Sequence, residues 1–159
     1  GPMNGIQLGL TLRREMPTVG IVLLTHHVDP TFFSPLHQKK FSGWSYLLKK
    51  SVSDSDALRR AVAGAAQGLV VLDSQLVDEL ASRQAVGQFT GLTMRQRDIL
   101  ALMAQGFTNS AIASKLGISV KSVENQINVI YQELGIDRSD RSIQPRVTAV
   151  LMYLQNHVM

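Results

Sequence analysis

Apolar residues recur at steps of three and four between Leu92 and Leu134, and glycines interrupt this pattern. Residues three or four apart share one face of a helix, so the spacing predicts helices that pack through one side. The first helix begins at Thr93, because Thr93 and Gln96 have the spacing of a capping box. Gly106 follows the last apolar positions of this helix and predicts a left-handed C-terminal cap.

Two further helices follow in the same segment. Thr108 or Asn109 caps a short second helix, which Gly117 ends. Ser119 caps the third and longest helix, which continues to Gly135. Its apolar stripe consists of Val120, Val123, Ile127, Ile130 and Leu134. A short helix, a turn with glycine and an amphipathic helix are typical of a helix-turn-helix, whose second helix lies in the major groove of DNA.

The polar side of the third helix, Ser119–Leu134, carries the candidate chemistry. With the apolar stripe packed inward, the outward side chains are Lys121, Ser122, Glu124, Asn125 and Asn128. Lysine can bind guanine edges or phosphate, asparagine can pair with adenine, and glutamate can accept a hydrogen bond from cytosine. Any three-helix bundle has a polar face, so periodicity alone leaves a DNA reader and a plain helical bundle both open.

Fifteen residues of this segment match a known pattern without a gap. They are Leu92, Thr93, Arg95, Leu100, Ala104, Gly106, Asn109, Ile112, Ala113, Leu116, Ser119, Val123, Ile130, Leu134 and Gly135. The segment resembles the DNA-binding domain of the LuxR/NarL family, whose pattern is roughly LTxRExEVLxLxAxGxxNxxIAxxLxxSxxTVxxHxxxIxxKLG. The resemblance implies contacts with double-stranded DNA from Thr108, Asn109, Lys115, Ser119, Lys121, Ser122, Glu124, Asn125 and Asn128.

The departures from this pattern concern the target sequence. Ser122 stands where the family usually has threonine, and Gln126 where it usually has histidine. Glu124 replaces a residue that is often a DNA-contacting lysine or arginine. A carboxylate repels phosphates and needs a donor such as the cytosine amino group, so a family consensus site is not expected.

The first half of the chain alternates between predicted strands and helices. We predict helices over Asn4–Glu15, Ser53–Gln67 and Ser74–Gln84, and strands over Val19–Leu24 and Tyr46–Leu48. In the middle helix we expect Leu58, Val62 and Ala65 to face inward. Residues 29–42 have a poor pattern and predict a loop or an irregular helix. The alternation predicts an α/β class.

Three stretches of this half, MNGIQLGLTLRREMP, VGIVLLTHH and GWSYLLKK, resemble the last part of a phosphoacceptor receiver domain. The resemblance implies half of a doubly wound parallel sheet, in which Thr25, Tyr46 and Lys49 are the switch residues that respond to phosphorylation. The alternative is a strand-end threonine, a core tyrosine and a solvated lysine.

The acidic residues that receivers use precede the matching segment. We therefore expect this chain not to accept phosphate at the receiver position, and a sensor kinase to be a partner only of an intact receiver. Without the first strands of a receiver, the strand Val19–Leu24 would be a sheet edge with an uncovered apolar face.

The boundary and the end of the chain complete the predicted organisation. We assign residues 3–86 to a truncated receiver-like domain, residues 87–91 to a linker, and residues 92–159 to a four-helix helix-turn-helix domain. The last helix, Arg146–Asn156, has an apolar face formed by Val147, Val150, Leu151 and Leu154. The family resemblance favours this face as a homodimer interface, and core packing is the competing use.

Composition and charge limit the functions that remain open for this chain. The net charge is +4, and the part from Leu92 onward has 7 basic and 5 acidic residues, so we expect moderate DNA affinity per monomer. The chain has no cysteine and no apolar run of transmembrane length, which predicts a cytoplasmic protein without a membrane partner. No catalytic motif is present, so we predict no enzyme activity, cofactor or metal site.

The alternative function is a protein–protein interaction module that does not read DNA sequence.

Overall fold

The computed structural model describes residues 4–27, 41–82 and 91–158. In chain order, the elements of these ranges are α1 (Gly5–Glu15), β1 (Ile21–Thr25), β2 (Trp44–Leu48), a 3-10 helix (Lys49–Ser53), α2 (Ser55–Ala66), β3 (Val71–Leu72), α3 (Ser74–Ser82), α4 (Met94–Ala104), α5 (Asn109–Leu116), α6 (Val120–Glu133) and α7 (Pro145–Val158). Most of the loop predicted over residues 29–42 and of the linker predicted over 87–91 lies outside the described residues.

The first half is a three-stranded parallel sheet in the order β1-β2-β3, with helices on both faces. On one face, Leu47 of β2 and Val71 of β3 form a small core with Ala61 of α2. On the other face, Trp44 of β2 lies so close to α1 that a Cβ atom on Gly9 would be 2.4 Å from the indole ring. Parallel sheets bury both faces in this way, and the predicted α/β class is confirmed.

The structure confirms Ala65 on the predicted inward face of α2 and has Leu58 partly buried, but it corrects Val62. Val62 is 52% exposed, and the buried residues are the small Ala57, Ala61, Gly64 and Ala65. The small side chains let the helix backbone approach the sheet, where the Ser45 hydroxyl of β2 donates a hydrogen bond of 2.7 Å to the Ala61 carbonyl. A larger side chain such as Val62 therefore lies on the solvent side.

Strand β3 was not predicted, because its two residues are too few to produce a recognisable period. Strand β1 is an edge, as expected: within the described ranges no strand pairs with its outer side. Leu24 is 42% exposed there, although the expected uncovered face is partly packed through Val22 and Leu23.

Residues 91–158 contain four helices, and the caps confirm the predicted starts of the first three. Thr93 and Gln96 exchange both hydrogen bonds of the capping box at the start of α4. Thr108 caps α5, and Gly117 ends it with a φ of 66° that favours glycine. Ser119 caps α6. None of the helices in the described ranges is long and apolar enough to cross a membrane.

Helix α6 packs inward through Val123, Ile127 and Ile130, as predicted. Val120, the first residue of the predicted stripe, is instead 40% exposed, because the helix meets the core only one turn later.

One continuous core connects the two halves. Helix α3 contacts both α4 and α7, and its buried Leu76 and Leu80 belong to the same cluster as Trp44 of the sheet and Ile99 of α4. The predicted domain boundary therefore separates two sequence segments that share a core, and its position stays a prediction.

Candidate functional site

The turn between α5 and α6 holds the two helices in a fixed relation. Gly117 provides the left-handed cap that reverses the chain, and the Ser119 hydroxyl accepts a hydrogen bond of 3.0 Å from the Ser122 backbone N–H. Because Val123 and Ile130 are fully buried, the opposite side of α6 must face solvent.

The outward residues of α6 form one exposed surface. Lys121, Glu124, Asn125 and Asn128 follow one another at helical spacing on this side, and Ser122 lies beside them in the first turn; all five are exposed. The surface combines a cation, a carboxylate and two amides, so it presents donors and acceptors in a small area.

The other predicted contact residues lie at the start and end of α5. The Thr108 hydroxyl accepts a hydrogen bond from the Ala111 N–H at 3.2 Å, and Thr108 remains exposed. Lys115 is also exposed and has its ammonium group 4.7 Å from the centre of the Phe107 ring. Asn109 is half-buried, and its side-chain oxygen accepts a hydrogen bond of 3.2 Å from Arg146.

Arg146 of α7 is a structural residue that sequence reasoning missed. Its guanidinium group donates hydrogen bonds to the Phe107 carbonyl and to Asn109, and thereby ties the turn before α5 to α7. Burial lowers the pKa of Arg146, and the neighbouring Tyr131 opposes this shift. An arginine directly before the first apolar residue of a helix face is not a recognisable signal in the sequence.

A groove runs between α2 and the helix-turn-helix, and it was also not predicted. Arg60 of α2 donates a hydrogen bond of 3.1 Å from Nε to the Gln105 carbonyl, and its guanidinium carbon lies 4.0 Å from the centre of the Phe107 ring. Arg59, Val120 and Glu124 also line the groove. One edge of the exposed α6 surface therefore borders the receiver-like half.

The predicted switch residues meet at the loop after β1: Thr25 ends β1, Lys49 follows β2, and the Tyr46 side chain reaches the loop from the middle of β2. The hydroxyl groups of Thr25 and Tyr46 both donate to the His27 carbonyl, at 3.2 and 3.1 Å. Lys49 has its ammonium nitrogen 3.2 Å from His26 Nε2. The structure thus brings the three residues to one loop, and their switch role stays a prediction.

The predicted dimer face of α7 is covered within the chain. Val147, Val150, Leu151 and Leu154 are all at most 5% exposed and belong to the shared core. Helix α7 contacts α3 and α4, so its apolar side serves core packing, the competing use. In this arrangement α3 and α4 cover the face, and dimerisation through these four residues stays a prediction that the packing does not favour.

These features define a class of protein. A helix-turn-helix domain with an exposed polar second helix follows part of a receiver-like parallel sheet, which is the organisation of a response regulator with its output domain.

Comparisons with known proteins agree with this class. Residues 90–143 match the family model described as bacterial regulatory proteins, luxR family. The nitrate/nitrite response regulator protein NarP of Escherichia coli (strain K12) is 31% identical over 157 residues, which cover 96% of this chain and 68% of NarP. The transcriptional regulatory protein LiaR of Bacillus subtilis (strain 168) is 32% identical over 147 residues, covering 88% of this chain and 66% of LiaR.

The response regulator protein VraR of Staphylococcus saprophyticus is 24% identical over 159 residues, which cover 99% of this chain and 71% of VraR. The chain belongs to the luxR family of bacterial regulatory proteins and is similar to its NarL-type response regulators.

Proposed function

We propose that this chain is a transcription regulator that binds a specific double-stranded DNA sequence through α6. The observation that carries the proposal is the exposed polar surface of α6, which lies at the position of the recognition helix in a helix-turn-helix of the luxR family. The family consists of regulatory proteins, and we propose no enzyme activity for this chain.

In this proposal α6 enters the major groove with its N-terminal half. Asn125 and Asn128 pair with adenine, Lys121 binds guanine or phosphate, and Glu124 accepts a hydrogen bond from a cytosine amino group. The exposed Thr108, Lys115, Ser119 and Ser122 contact the phosphate backbone, which fixes the position of the protein on the duplex. Asn109 is held by Arg146 and supports the helix start.

We further propose that two copies bind an imperfect inverted repeat, with recognition helices in major grooves about one helical turn apart. The small basic excess of the DNA-binding half supports this, because one copy neutralises few phosphates. Since the apolar face of α7 is buried, the dimer forms through a different surface.

Selection from a random pool of DNA duplexes by this chain, at physiological salt, tests the proposal. We expect an enriched inverted repeat. Asn125→Ala and Lys121→Ala should weaken binding and change the selected sequence, whereas Gln132→Ala, exposed later on the same helix, should do neither. Unchanged affinity and preference in both α6 variants would contradict the assignment of the surface.

The alternative function is a protein–protein interaction module, and Glu124 on the exposed surface is the observation that favours it. The salt dependence of binding distinguishes DNA binding from a protein–protein contact. Binding through phosphates weakens steeply with added salt, whereas an apolar protein contact does not.

For the receiver-like half we propose that Thr25, Tyr46 and Lys49 act as a switch only in a protein with an intact receiver and its sensor kinase. A full-length Thr25→Ala variant should lose the effect of phosphorylation on DNA affinity, and an unaltered response would contradict this role. We also propose that this chain itself gains no phosphate from acetyl phosphate with Mg²⁺, which intact mass measurement would test.

A further inference from the structure

The side chain of Gln96 makes two different contacts at the start of α4. Its oxygen Oε1 accepts a hydrogen bond of 3.0 Å from the Thr93 N–H, which completes the capping box. Its nitrogen Nε2 donates a hydrogen bond of 2.9 Å to Oε1 of Gln126 on α6. Gln96 is only 7% exposed, so water cannot easily replace either partner. One buried amide therefore joins the cap of α4 to the middle of α6.

The cap decides which way this amide points. The Thr93 N–H can only donate, so the Gln96 oxygen must face it and the Gln96 nitrogen must face α6. Residue 126 must consequently present an acceptor, and the Gln126 oxygen supplies one. The hydrogen bond has a fixed direction from α4 to α6.

The family pattern quoted for this segment has glutamate at the position of Gln96 and histidine at that of Gln126, and this chain differs at both. A carboxylate at position 96 can cap Thr93 but has no proton for α6, so its partner must donate. With glutamine at position 96 the partner must accept. The two differences are chemically matched, because either one alone would change the donor and acceptor arrangement of the contact.

We propose that Gln96 and Gln126 are positioning residues that set the rotation of α6 for DNA reading. Gln126 directly follows Asn125 and precedes Asn128 by two positions, so a hydrogen bond at Gln126 fixes the helix next to the residues that face the bases. This inference rests on the proposed function, and it adds residues that do not touch DNA themselves.

The first test compares Gln126→Leu with Gln132→Leu, an identical change at an exposed position of the same helix. The probe is the duplex that the wild-type chain enriches, and binding is followed by fluorescence anisotropy. Gln126→Leu should bind this duplex roughly five- to tenfold more weakly, the effect of one lost hydrogen bond that leaves a buried donor unpaired. Gln132→Leu should bind like the wild type, and equal affinity of the two variants would overturn the proposal.

The second test uses the direction of the hydrogen bond. In Gln126→His, a neutral imidazole can accept from Gln96, but a protonated imidazole has no free lone pair. The affinity of this variant relative to wild type should therefore fall about fivefold as the pH drops below the ordinary imidazole pKa of about 6.5. In the double variant that also carries Gln96→Glu, the affinity should instead rise as the pH drops, because the carboxylate accepts a hydrogen bond from the protonated imidazole. Comparison with wild type removes the effect of all other titrating groups, and a variant profile parallel to wild type would overturn the proposal.

A DNA-independent readout separates this proposal from the proposed function. In the NMR spectrum of the free chain, Gln126→Leu should shift the side-chain amide resonances of Gln96, and Gln132→Leu should not. Unmoved Gln96 resonances would overturn the Gln96–Gln126 hydrogen bond. A wild-type chain that shows this hydrogen bond by NMR but selects no DNA sequence would instead contradict the proposed function, and with it the use of the hydrogen bond in DNA reading.

Discussion

Arg146 shows how one partly buried cation stabilises the turn before a short helix. Its guanidinium group bonds to the Phe107 carbonyl and to Asn109 at the start of α5. Replacing Arg146 by alanine leaves a partly buried carbonyl without its donor, and hydrogen bonds to charged groups contribute about 1.5–3 kcal/mol. We expect Arg146→Ala to lower the free energy of unfolding by about 2–3 kcal/mol, measured by urea denaturation.

The exposed Arg141 provides the control for this prediction, because it carries the same side chain in the loop before α7. Arg141→Ala should change the free energy of unfolding by less than about 0.5 kcal/mol. Equal effects of the two variants would mean that the guanidinium contacts of Arg146 do not stabilise the turn.

The ionisation of Tyr153 of α7 should lower the free energy of unfolding at alkaline pH. Burial, assisted by the negative charge of Asp78, raises the pKa of Tyr153 from 10.0 to about 12. Because the unfolded chain ionises first, the stabilisation is complete below pH 10 and is lost as the pH rises through about 12. One pKa unit corresponds to 1.36 kcal/mol, so the free energy of unfolding should fall by roughly 2–3 kcal/mol over this pH range.

Urea denaturation between pH 9 and about 12 measures this loss. Tyr153→Phe removes the ionisable group and should flatten the alkaline decline compared with wild type. Burial also raises the pKa of Tyr131, so part of the decline should remain. Identical alkaline profiles of Tyr153→Phe and wild type would contradict the prediction.

At the scale of elements, the sequence predicted the helices of the second half better than the sheet. The caps at Thr93, Thr108 and Ser119 are local hydrogen bonds between residues three positions apart, so a single sequence contains them. Strand β3 depends on Ser45 and Tyr46 of β2, far away in the chain, as pairing partners. Such long-range pairing leaves no local signal in two residues.

The orientation of α2 illustrates the same limit. Apolarity alone favoured Val62 over Ala61 and Gly64 as an inward residue, but the distance to the sheet decides the outcome. The Ser45–Ala61 hydrogen bond and the contact of Gly64 with Val71 require small residues there. Arg60 and the groove beside Phe107 were missed for a related reason, since they depend on how the two halves pack.

Two glycines follow helices, and we expect their replacement by alanine to lower the free energy of unfolding by different amounts. Gly117 has a φ of 66° and open space at its Cβ position, so Gly117→Ala should cost about 1 kcal/mol from backbone conformation alone. Gly106 has a φ of 80°, and a Cβ there would lie 2.9 Å from Cγ2 of the buried Val71. Overpacking adds about 1–3 kcal/mol, so Gly106→Ala should cost about 2–4 kcal/mol.

A double variant isolates the steric part of this difference. In a Val71→Ala background, Gly106→Ala should cost about as much as Gly117→Ala, because the clashing methyl group is gone. Thermal or urea denaturation of the four proteins measures this coupling. A cost of Gly106→Ala that is unchanged by Val71→Ala would show that the two halves do not pack closely at this point.

At the scale of the whole molecule, the two predicted sequence domains do not correspond to two cores. Helix α3 shares one hydrophobic cluster with the sheet and the helices of the second half, and α7 packs against both α3 and α4. The sequence showed the apolar face of α7 but not what covers it, because a core and an interface use the same residue types. Because this face is covered, the dimer that we propose would use another surface.

The shared core predicts that the chain unfolds in one cooperative transition. Trp44 is the only tryptophan and lies buried in the sheet, so its fluorescence reports the first half. Far-ultraviolet circular dichroism is sensitive to the helices, four of which are in the second half. If α3 couples the halves, the urea transitions followed by the two probes should coincide.

Leu80 of α3 is fully buried in this core, whereas Val129 of α6 is 38% exposed. Leu80→Ala should lower the free energy of unfolding by about 2–5 kcal/mol and shift both transitions together, because the cavity lies in a core that both halves share. Val129→Ala should shift neither by a comparable amount. Two separated transitions, or a shift in the fluorescence curve alone, would mean that the halves fold independently and that the contact between α2 and the helix-turn-helix is not held by a common core.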